Sequence, residues 1–310
     1  MIQAVALKSK SIKELMKYLL ILSLLLSNAI SNAEEVKNIE GTNFGKYAEQ
    51  YTKGRDQHAP AAFEYLANLI DDSNASVLDV ACGTGISTRQ LKPHFPHVLG
   101  LDIDKRMLKE AKRIEKLNKG NRIKYLHADV AGKLPFKDKQ FDLITICEAF
   151  HWLIKNEKTK QAALSELYRV LKPGGILAVI EPAEDLQRDE FFAAIQSSAS
   201  EVRKKYTKID VKHPKYDNSN YNPLKVLQEF NFETPEARML FSYKVNTDIE
   251  KEVARVQSQS KWNEIDAQDQ PTALQEYRDR VTLIFKKLGS DQTTKELWTG
   301  MYIGQRPVQE

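Results

Sequence analysis

The sequence contains little of what marks the specialised classes of protein. Two cysteines in 310 residues, Cys82 and Cys147, exclude a disulfide-rich scaffold and any zinc cluster built on cysteine. Thirteen glycines and 11 prolines exclude collagen-like and proline-rich low-complexity chains. Hydrophobic residues at 42% and charged residues at 28% are ordinary values, so the composition indicates a globular chain of one large α/β domain or two domains.

The body of the chain also carries little net charge. The formal net charge is +4, and the first 33 residues contribute four lysines against one glutamate. The remaining 277 residues are therefore close to neutral, at about +1. A near-neutral body gives no general electrostatic attraction for nucleic acid, so we expect no nucleic-acid partner. Basic residues do crowd 105–124 and 203–215, which are either solvated faces or a docking surface for an anionic partner.

Residues 1–33 resemble a targeting segment rather than part of the fold. Lys13 and Lys17 precede an apolar run at 18–26, and small residues follow at Ser31 and Ala33. This order is typical of a secretory signal peptide, and the run is shorter than the about 20 apolar residues of a membrane-spanning helix. We predict a signal or membrane-anchor segment with processing near Ala33, hence export or possible membrane contact. The alternatives are a frayed amphipathic helix or an over-extended reading frame, with Met16 as the true start.

From residue 43 onward, segments typical of strands alternate with segments typical of helices. Strands are predicted at 77–80, 97–101, 123–127, 141–146, 176–180 and 238–245, and helices at 44–51, 61–70, 88–91, 105–117, 158–171, 186–206 and 249–262. Alternation of this kind indicates a mostly parallel sheet covered by helices on both faces. We therefore predict one Rossmann-like, doubly wound α/β domain over 34–310.

The most informative segment is 77–85, VLDVACGTG, in which a strand enters Gly83 and Gly85. Glycines between a strand and a helix let a ligand approach the backbone closely. A dinucleotide fingerprint requires a third glycine, where this chain has Thr88, and its pyrophosphate disfavours a carboxylate such as Asp79 nearby. S-adenosylmethionine carries an ammonium and a sulfonium, both compatible with an acidic neighbour. An ordinary tight turn is the alternative.

Two further carboxylates follow at the ends of the next strands. Asp102 ends the second strand, and Asp129 follows the third. Open α/β sheets bind ligands along the edge where parallel strands end. Asp102 can accept hydrogen bonds from both ribose hydroxyls, and Asp129 from the adenine amino group. Each alone is more often a turn residue, but together with Asp79 they form a series along one edge.

These motifs together resemble the class I S-adenosylmethionine-dependent methyltransferases, specifically the type 11 group that includes the ubiquinone-biosynthesis and trans-aconitate methyltransferases. The matching segments are 77–85, 101–104 (LDID), 134–136 (LPF), 141–143 (FDL) and 168–175 (YRVLKPGG). Segments 51–55 (YTKGR) and 150–153 (FHWL) are similar to the trans-aconitate-like subgroup, although Asp56 replaces a proline that usually follows the first of them. In segment 77–85, Ala81 replaces the first glycine of the usual motif. Segment 297–304 resembles the family's last strand, which runs antiparallel to the rest of the sheet.

The resemblance assigns cofactor contacts residue by residue. It implies contacts of the methionyl part with Asp79, Ala81, Gly83 and Gly85, of the ribose with Asp102, of the adenine face with Ile103 and Met107, and of the adenine edge with Asp129 and Val130. Glu148 is implied beside the transferred methyl group. Tyr51 and Arg55 are implied to close the site from the N-terminal side, with Arg55 pairing with the cofactor carboxylate.

The acceptor is expected near the end of the fourth strand. There, His151 is a candidate base or orienting group, and the Trp152 ring can favour a sulfonium through cation–π attraction. The alternative is that Trp152 packs under the next helix and His151 caps a carbonyl. Residues 182–285 are expected to cover the acceptor, with Tyr206, Tyr216, Tyr221 and Trp262 as candidate contacts. His94 and His97 are separated by Phe95-Pro96, which does not suit a helical metal site, so no metal is expected.

The sequence thus predicts an enzyme that moves a methyl group to a small molecule, with a carboxylate or hydroxyl favoured. Segment 147–150, CEAF, does not match the amino-nucleobase motif of this superfamily. Two alternatives are an exported or non-catalytic adenosyl-ligand-binding protein and a nicotinamide-dependent oxidoreductase. Two indications of the protein's location conflict, because the N-terminal segment indicates export whereas the methyl donor is made in the cytoplasm. The sequence does not indicate the oligomeric state.

Overall fold

A computed structural model of the chain describes residues 44–70, 72–119, 123–183, 189–207, 221–235 and 237–308. The predicted signal or anchor segment at 1–33 lies outside the described residues, as does Tyr216. The predictions made for them stay predictions. Within the part of the chain that is described, no helix is long and apolar enough to cross a membrane.

The described residues build one mixed sheet of seven strands. The strands are β1 (Ser76–Val80), β2 (His97–Asp102), β3 (Lys124–His127), β4 (Phe141–Cys147), β5 (Leu171–Pro182), β6 (Met239–Asp248) and β7 (Gln292–Gln305). Their spatial order is β3-β2-β1-β4-β5-β7-β6. The first five pair in parallel, and β7 runs antiparallel to both of its neighbours. This confirms the predicted α/β fold with one antiparallel C-terminal strand.

The helices connect these strands and cover the sheet. They are α1 (Ala48–Gly54), α2 (Pro60–Ile70), α3 (Ile86–Leu91), α4 (Lys105–Leu117), α5 (Phe150–Leu153), α6 (Glu157–Val170), α7 (Glu190–Tyr206), α8 (Pro223–Glu229), α9 (Ile249–Gln257) and α10 (Gln270–Leu288). Short 3-10 helices occupy Phe44–Tyr47 and Ser260–Glu264.

The central strands are apolar on both faces because helices cover both. Leu78 and Ile144 belong to one hydrophobic cluster, whereas Val77 and Leu143 belong to another. Successive side chains of a strand point to opposite faces, so a strand buried on both sides becomes a continuous apolar run. This explains why 77–80 and 143–146 carry so few polar residues.

Several predicted boundaries were wrong in detail. Helix α6 ends at Val170 as expected, but β5 begins at once with Leu171 rather than at 176. The strand continues through Gly174, whose φ of +75° is accommodated where the pairing with β4 shifts register. The helix predicted at 105–117 is confirmed as α4, and the basic run 105–124 extends beyond its end. The predicted helix 249–262 is divided into α9 and a 3-10 turn.

Three of the described helices, α5, α8 and α10, were missed by the sequence analysis. Helix α10 buries Ala273, Tyr277, Val281 and Phe285, spaced four residues apart in an otherwise charged segment. This stripe is narrower than the apolar face of an ordinary amphipathic helix. These side chains pack with α7 and α9 in a third hydrophobic cluster, which also contains Trp262. The region 182–285 is therefore partly helical, as predicted, and has its own core.

Candidate functional site

The turn between β1 and α3 has a left-handed backbone at three positions. Ala81, Gly83 and Gly85 have φ values of +54°, +56° and +78°. A Cβ at Gly83 would lie 3.2 Å from the Met107 methyl group, and one at Gly85 would overlap the Tyr125 hydroxyl. Both glycines are therefore required by backbone conformation and by close packing.

Ala81 is the strained member of this turn, because a left-handed conformation costs an L-residue about 1–2 kcal/mol. Ala81→Gly is expected to raise the free energy of unfolding by about 0.5–1 kcal/mol, after the greater entropy of unfolded glycine is subtracted. Urea unfolding measures the change. Ala193→Gly in helix α7 is the matched control and should destabilise by about 1 kcal/mol. A loss of stability with Ala81→Gly would show that the turn is not strained there.

Asp79 lies beneath the turn rather than in the cavity above it. Its side chain is fully buried, and it accepts hydrogen bonds from the hydroxyls of Ser87 and Thr88 at 2.7 Å and of Thr145 at 2.8 Å. Burial raises the pKa of this carboxyl. The residue therefore fixes the turn to α3 and β4, which is a different placement from the direct methionyl contact that was predicted. Thr88 has a role here that a third glycine could not fill.

Asp102 holds the other side of the same turn. Its carboxylate accepts from the backbone N–H of Gly83 at 2.7 Å and of Asp104 at 2.8 Å. Burial raises the pKa of Asp102 to about 6. The carboxylate lies at the end of β2, directly beside the glycine turn, as the predicted ribose contact requires.

Of the residues predicted to contact adenine, some lie near the glycine turn and others do not. Met107 is buried against Gly83, and the Ile103 carbonyl lies 2.9 Å from the ring of His127. Val130 is part of the main hydrophobic cluster. Asp129 is exposed, and its side chain accepts from Ala131 N–H in a local turn. The structure brings Met107 to the turn but does not bring Asp129 into the cavity.

A cavity of about 30 Å³ lies between the glycine turn, the end of β4 and the N-terminal segment 44–56, here called the N-terminal cover. Its lining residues are Tyr51, Arg55, Asp56, His58, Ala81, Cys82, Ile86, Ser87, Cys147 and Glu148. Such a volume suits about one water molecule. Tyr51 and Arg55 of the cover bound this cavity on its N-terminal side.

Arg55 forms the principal contact between the cover and the sheet. Its guanidinium lies 3.2 Å from the Glu148 carboxylate, donates to the Ser258 hydroxyl and lies 4.9 Å from the centre of the Tyr51 ring. Burial raises the pKa of Tyr51 to about 12. Arg55 thus pairs with Glu148 in this closed form, whereas the predicted partner was the cofactor carboxylate. Glu148 has a φ of +54°, a strained conformation of the kind concentrated at functional sites.

Asp56, which stands where the resembled family usually has proline, belongs to a buried group of charges. Its carboxylate lies 2.8 Å from the ammonium of Lys295 and 2.6 Å from that of Lys251. Lys295 also lies 2.9 Å from Glu252, which pairs with Arg255 at 2.7 Å. Sequence reasoning missed this group, because its members lie far apart in the chain.

The end of β4 where the acceptor is expected, here called the acceptor end, contains predicted residues and one that was not predicted, Glu181. His151 and Trp152 lie on α5, and Trp152 contacts Phe44 of the cover, with ring centres 6.0 Å apart. Glu181 of β5 lies 3.8 Å from His151 Nδ1 and accepts from the Tyr221 hydroxyl. Glu181 was missed, and its position after a predicted buried strand was the signal that could have found it.

The other candidate acceptor contacts are placed elsewhere. Trp262 is buried in the third hydrophobic cluster, and the Tyr206 hydroxyl donates to Glu276. Of the four candidates, Tyr221 is the one that the described residues bring to the acceptor end. Among the described residues, no group of three or more histidine, cysteine or acidic side chains could hold a metal ion.

Part of this chain is similar to known proteins. A family profile described as a methyltransferase domain matches residues 78–179. Demethylmenaquinone methyltransferase of Lactiplantibacillus plantarum is 40% identical over 123 residues, which cover 38% of this chain and 50% of that protein. Malonyl-[acyl-carrier protein] O-methyltransferase of Enterobacter lignolyticus is 33% identical over 142 residues, covering 46% and 53%. The chain thus spans about half the length of these relatives.

The fold has a counterpart among solved structures. A protein from Anaeromyxobacter dehalogenans, assigned to the type II methyltransferases, superposes with a TM-score of 0.56 at 17% identity, covering 82% of this chain and 98% of that chain. The matched residues 78–179 contain the last three residues of β1, the glycine turn, Asp102 and the whole of α5. Residues 78–179 of this chain therefore correspond to a methyltransferase domain of the type 11 group.

Proposed function

We propose that the protein transfers a methyl group from S-adenosylmethionine to a small-molecule acceptor. The observation that carries the proposal is the cradle at the ends of β1, β2 and β4. There a close-packed glycine turn is held by buried Asp79 and Asp102, and the adjoining cavity is lined by the carboxylates of Glu148 and Asp56. The turn lets a ligand approach the backbone closely, and the Asp102 carboxylate beside it can accept hydrogen bonds from the hydroxyls of such a ligand.

The residues present fit the cofactor. S-adenosylmethionine, when bound, supplies a methyl group on a positively charged sulfur. Asp102 would accept from the ribose hydroxyls, Met107 would pack on the adenine, and the backbone at Gly83 and Gly85 would lie against the methionyl part. Tyr51 and Arg55 would close over it from the cover. Since Arg55 already pairs with Glu148 at 3.2 Å, it would exchange this partner for the cofactor carboxylate on binding.

The domain's main contribution to rate would be alignment. Holding a nucleophile, the methyl carbon and the sulfur in line supplies about 7–11 kcal/mol of barrier reduction without covalent participation of the enzyme. The named relatives act on a demethylmenaquinone and on a malonyl-[acyl-carrier protein]. Their acceptors differ in chemistry, so the match supports methyl transfer more strongly than any one acceptor. The alternatives of a binding protein and of a nicotinamide enzyme have no comparable support.

Gly85→Ala tests the proposed cofactor site. A methyl group there would overlap the Tyr125 hydroxyl and strain a φ of +78°, so affinity for S-adenosylmethionine should fall at least tenfold in titration calorimetry. Gly289→Ala is the matched control, because its φ is +69° but nothing lies within 4 Å of the added Cβ. It should bind as the wild type does.

The wild-type titrations decide between the functions. We expect the wild-type protein to bind S-adenosylmethionine and not to bind NAD. Incubation with cell extract and cofactor carrying a deuterated methyl group should then yield a labelled small molecule by mass spectrometry. Binding without transfer would favour the adenosyl-ligand-binding protein, and preference for NAD would favour the oxidoreductase.

A further inference from the structure

The ends of β4 and β5 bring together a group of side chains that the cofactor does not require. Glu181 lies at the end of β5, and its Oε1 is 3.8 Å from His151 Nδ1. The Tyr221 hydroxyl donates to the same oxygen at 2.5 Å. The side chain of Glu181 is only 13% exposed and that of His151 is 31% exposed. A mostly buried carboxylate thus lies near a partly exposed imidazole and accepts a hydrogen bond from a tyrosine hydroxyl on the same oxygen.

This group adjoins the cofactor cavity. Strands β4 and β5 pair Cys147 with Ile180, and the Glu148 N–H donates to the Ile180 carbonyl at 2.9 Å. Glu181 is therefore next to Glu148, which lines the cavity. On the other side, the ring of His151 lies 4.9 Å from that of Trp152 between centres, and Trp152 contacts Phe44 of the cover.

A carboxylate beside an imidazole suits a particular chemistry. At 3.8 Å the two groups are too far apart for a hydrogen bond, but the carboxylate stabilises by its charge the imidazolium that forms when the ring takes a proton. We propose that His151 is the general base for an acceptor hydroxyl, that Glu181 is its positioning residue, and that the product is a methyl ether. The inference rests on the proposed methyl transfer and specifies its substrate class.

The need for a base favours a hydroxyl acceptor over a carboxylate. A carboxylate is already ionised near neutral pH and needs no base, whereas a hydroxyl does. A carboxylate would also approach Glu148 and Glu181, which a neutral hydroxyl can do without repulsion. The nearby cations include Arg55, which pairs with Glu148, Lys155, whose ammonium lies 5.6 Å from the centre of the Trp152 ring, and Arg238, whose side chain lies beside Gly300, the strand partner of Glu181.

The proposed step conserves atoms and charge. His151 Nε2 takes the proton of the acceptor hydroxyl, and an electron pair of the acceptor oxygen forms the bond to the methyl carbon. The bond between that carbon and the sulfonium sulfur breaks, and its electron pair stays on the sulfur as a neutral thioether. The proton remains on His151, beside Glu181, until it passes to water.

The chemical stability of the product tests the substrate class. Wild-type protein is incubated with a small-molecule extract and S-adenosylmethionine carrying a deuterated methyl group, and the products are heated in hydroxide. A methyl ether keeps the label, whereas a methyl ester releases it as deuterated methanol. We expect label that resists hydroxide and is bonded to oxygen. Release as methanol, or label on nitrogen or carbon, would overturn the inference and leave the proposed methyl transfer intact.

Variants test the roles of the side chains in the same reaction. His151→Gln should lower kcat at least 100-fold, and Glu181→Gln about tenfold, with S-adenosylmethionine affinity within twofold of wild type by calorimetry. Glu181→Asp should recover part of the rate. Glu229→Gln, which removes an exposed carboxylate paired with Lys160, is the matched control and should leave the rate unchanged.

A purely structural role would give a different result. If the group only anchors α5 to β5, Glu181→Gln would weaken cofactor affinity or stability and leave kcat unchanged, which would contradict the inference. Nitrogen NMR of the His151 imidazole gives a readout that does not depend on turnover. The His151 signals are identified as those that are absent from the spectrum of His151→Gln. Glu181→Gln should shift these signals. Failure of the wild type to label any molecule, despite binding the cofactor, would contradict the proposed function itself.

Discussion

Replacing Lys295 by methionine is expected to lower the free energy of unfolding by about 3–5 kcal/mol, because it removes one partner from a buried group of charges. Lys295 and Glu252 are each 1% exposed, and their charged atoms lie 2.9 Å apart. Lys295 also lies 2.8 Å from Asp56. Methionine keeps much of the apolar stem, so the expected loss comes mainly from the charge.

Urea unfolding of both proteins measures this loss. The matched control is Lys244→Met on the neighbouring strand β6, where the side chain is exposed and the expected change is within about 0.5 kcal/mol. A change below 1 kcal/mol for Lys295→Met would show that the buried charges do not stabilise the fold. It would also mean that Asp56 does not depend on Lys295 to hold the N-terminal cover.

The same group of charges predicts how stability depends on acid. Burial opposes ionisation of Glu252, but Arg255 and Lys295 overcome it and hold the pKa of this carboxyl at about 2. A carboxyl whose pKa is lower in the folded state stabilises the fold above its unfolded pKa of about 4.5, and that contribution is lost as pH falls toward 2. Without Lys295, the loss should begin at higher pH.

The second large effect is expected for Asp102→Ala. Removing the carboxylate should weaken S-adenosylmethionine binding by about 100-fold or more, because two hydroxyl hydrogen bonds to a charged acceptor are each worth about 1.5–3 kcal/mol. Calorimetry measures the affinity. Asp142→Asn is the control, because its carboxylate pairs with Lys172 at the opposite end of β4 and should leave binding unchanged. Unchanged affinity in Asp102→Ala would remove this residue from the ribose site.

The pKa of Asp102 gives this prediction a pH dependence. Burial raises that pKa to about 6, so only about one tenth of the carboxyl groups are ionised at pH 5. Cofactor affinity that requires the carboxylate should fall about tenfold between pH 7.5 and pH 5, and Asp102→Asn should remove this dependence. The effect on folding has the opposite sign. Because the folded pKa is the higher one, the contribution of Asp102 to stability is greatest below about pH 4 and declines as pH rises through 6.

The sequence by itself determined the parts of this protein that depend on neighbours in the chain. The apolar strands, helix α4 and the glycine turn after β1 follow from local periodicity and backbone conformation. Parallel strands end at one edge of a sheet, so the positions of Asp79 and Asp102 at that edge were also predictable. The fold class follows from these local features, whereas the methyltransferase family and the placement of Glu148 came from the resemblance of the motifs.

The tertiary structure decided which of those side chains face the cavity and which support it. Asp79 points to three hydroxyls beneath the turn, and Arg55 pairs with Glu148, because packing of α1 against α9 fixes the cover. Gly54 allows this packing, since a Cβ there would overlap the Arg255 backbone. Pairings such as Asp56 with Lys295 and His151 with Glu181 join residues tens to hundreds of positions apart. No local pattern specifies them, because they exist only once the sheet order has brought β5, β7 and α9 beside the site.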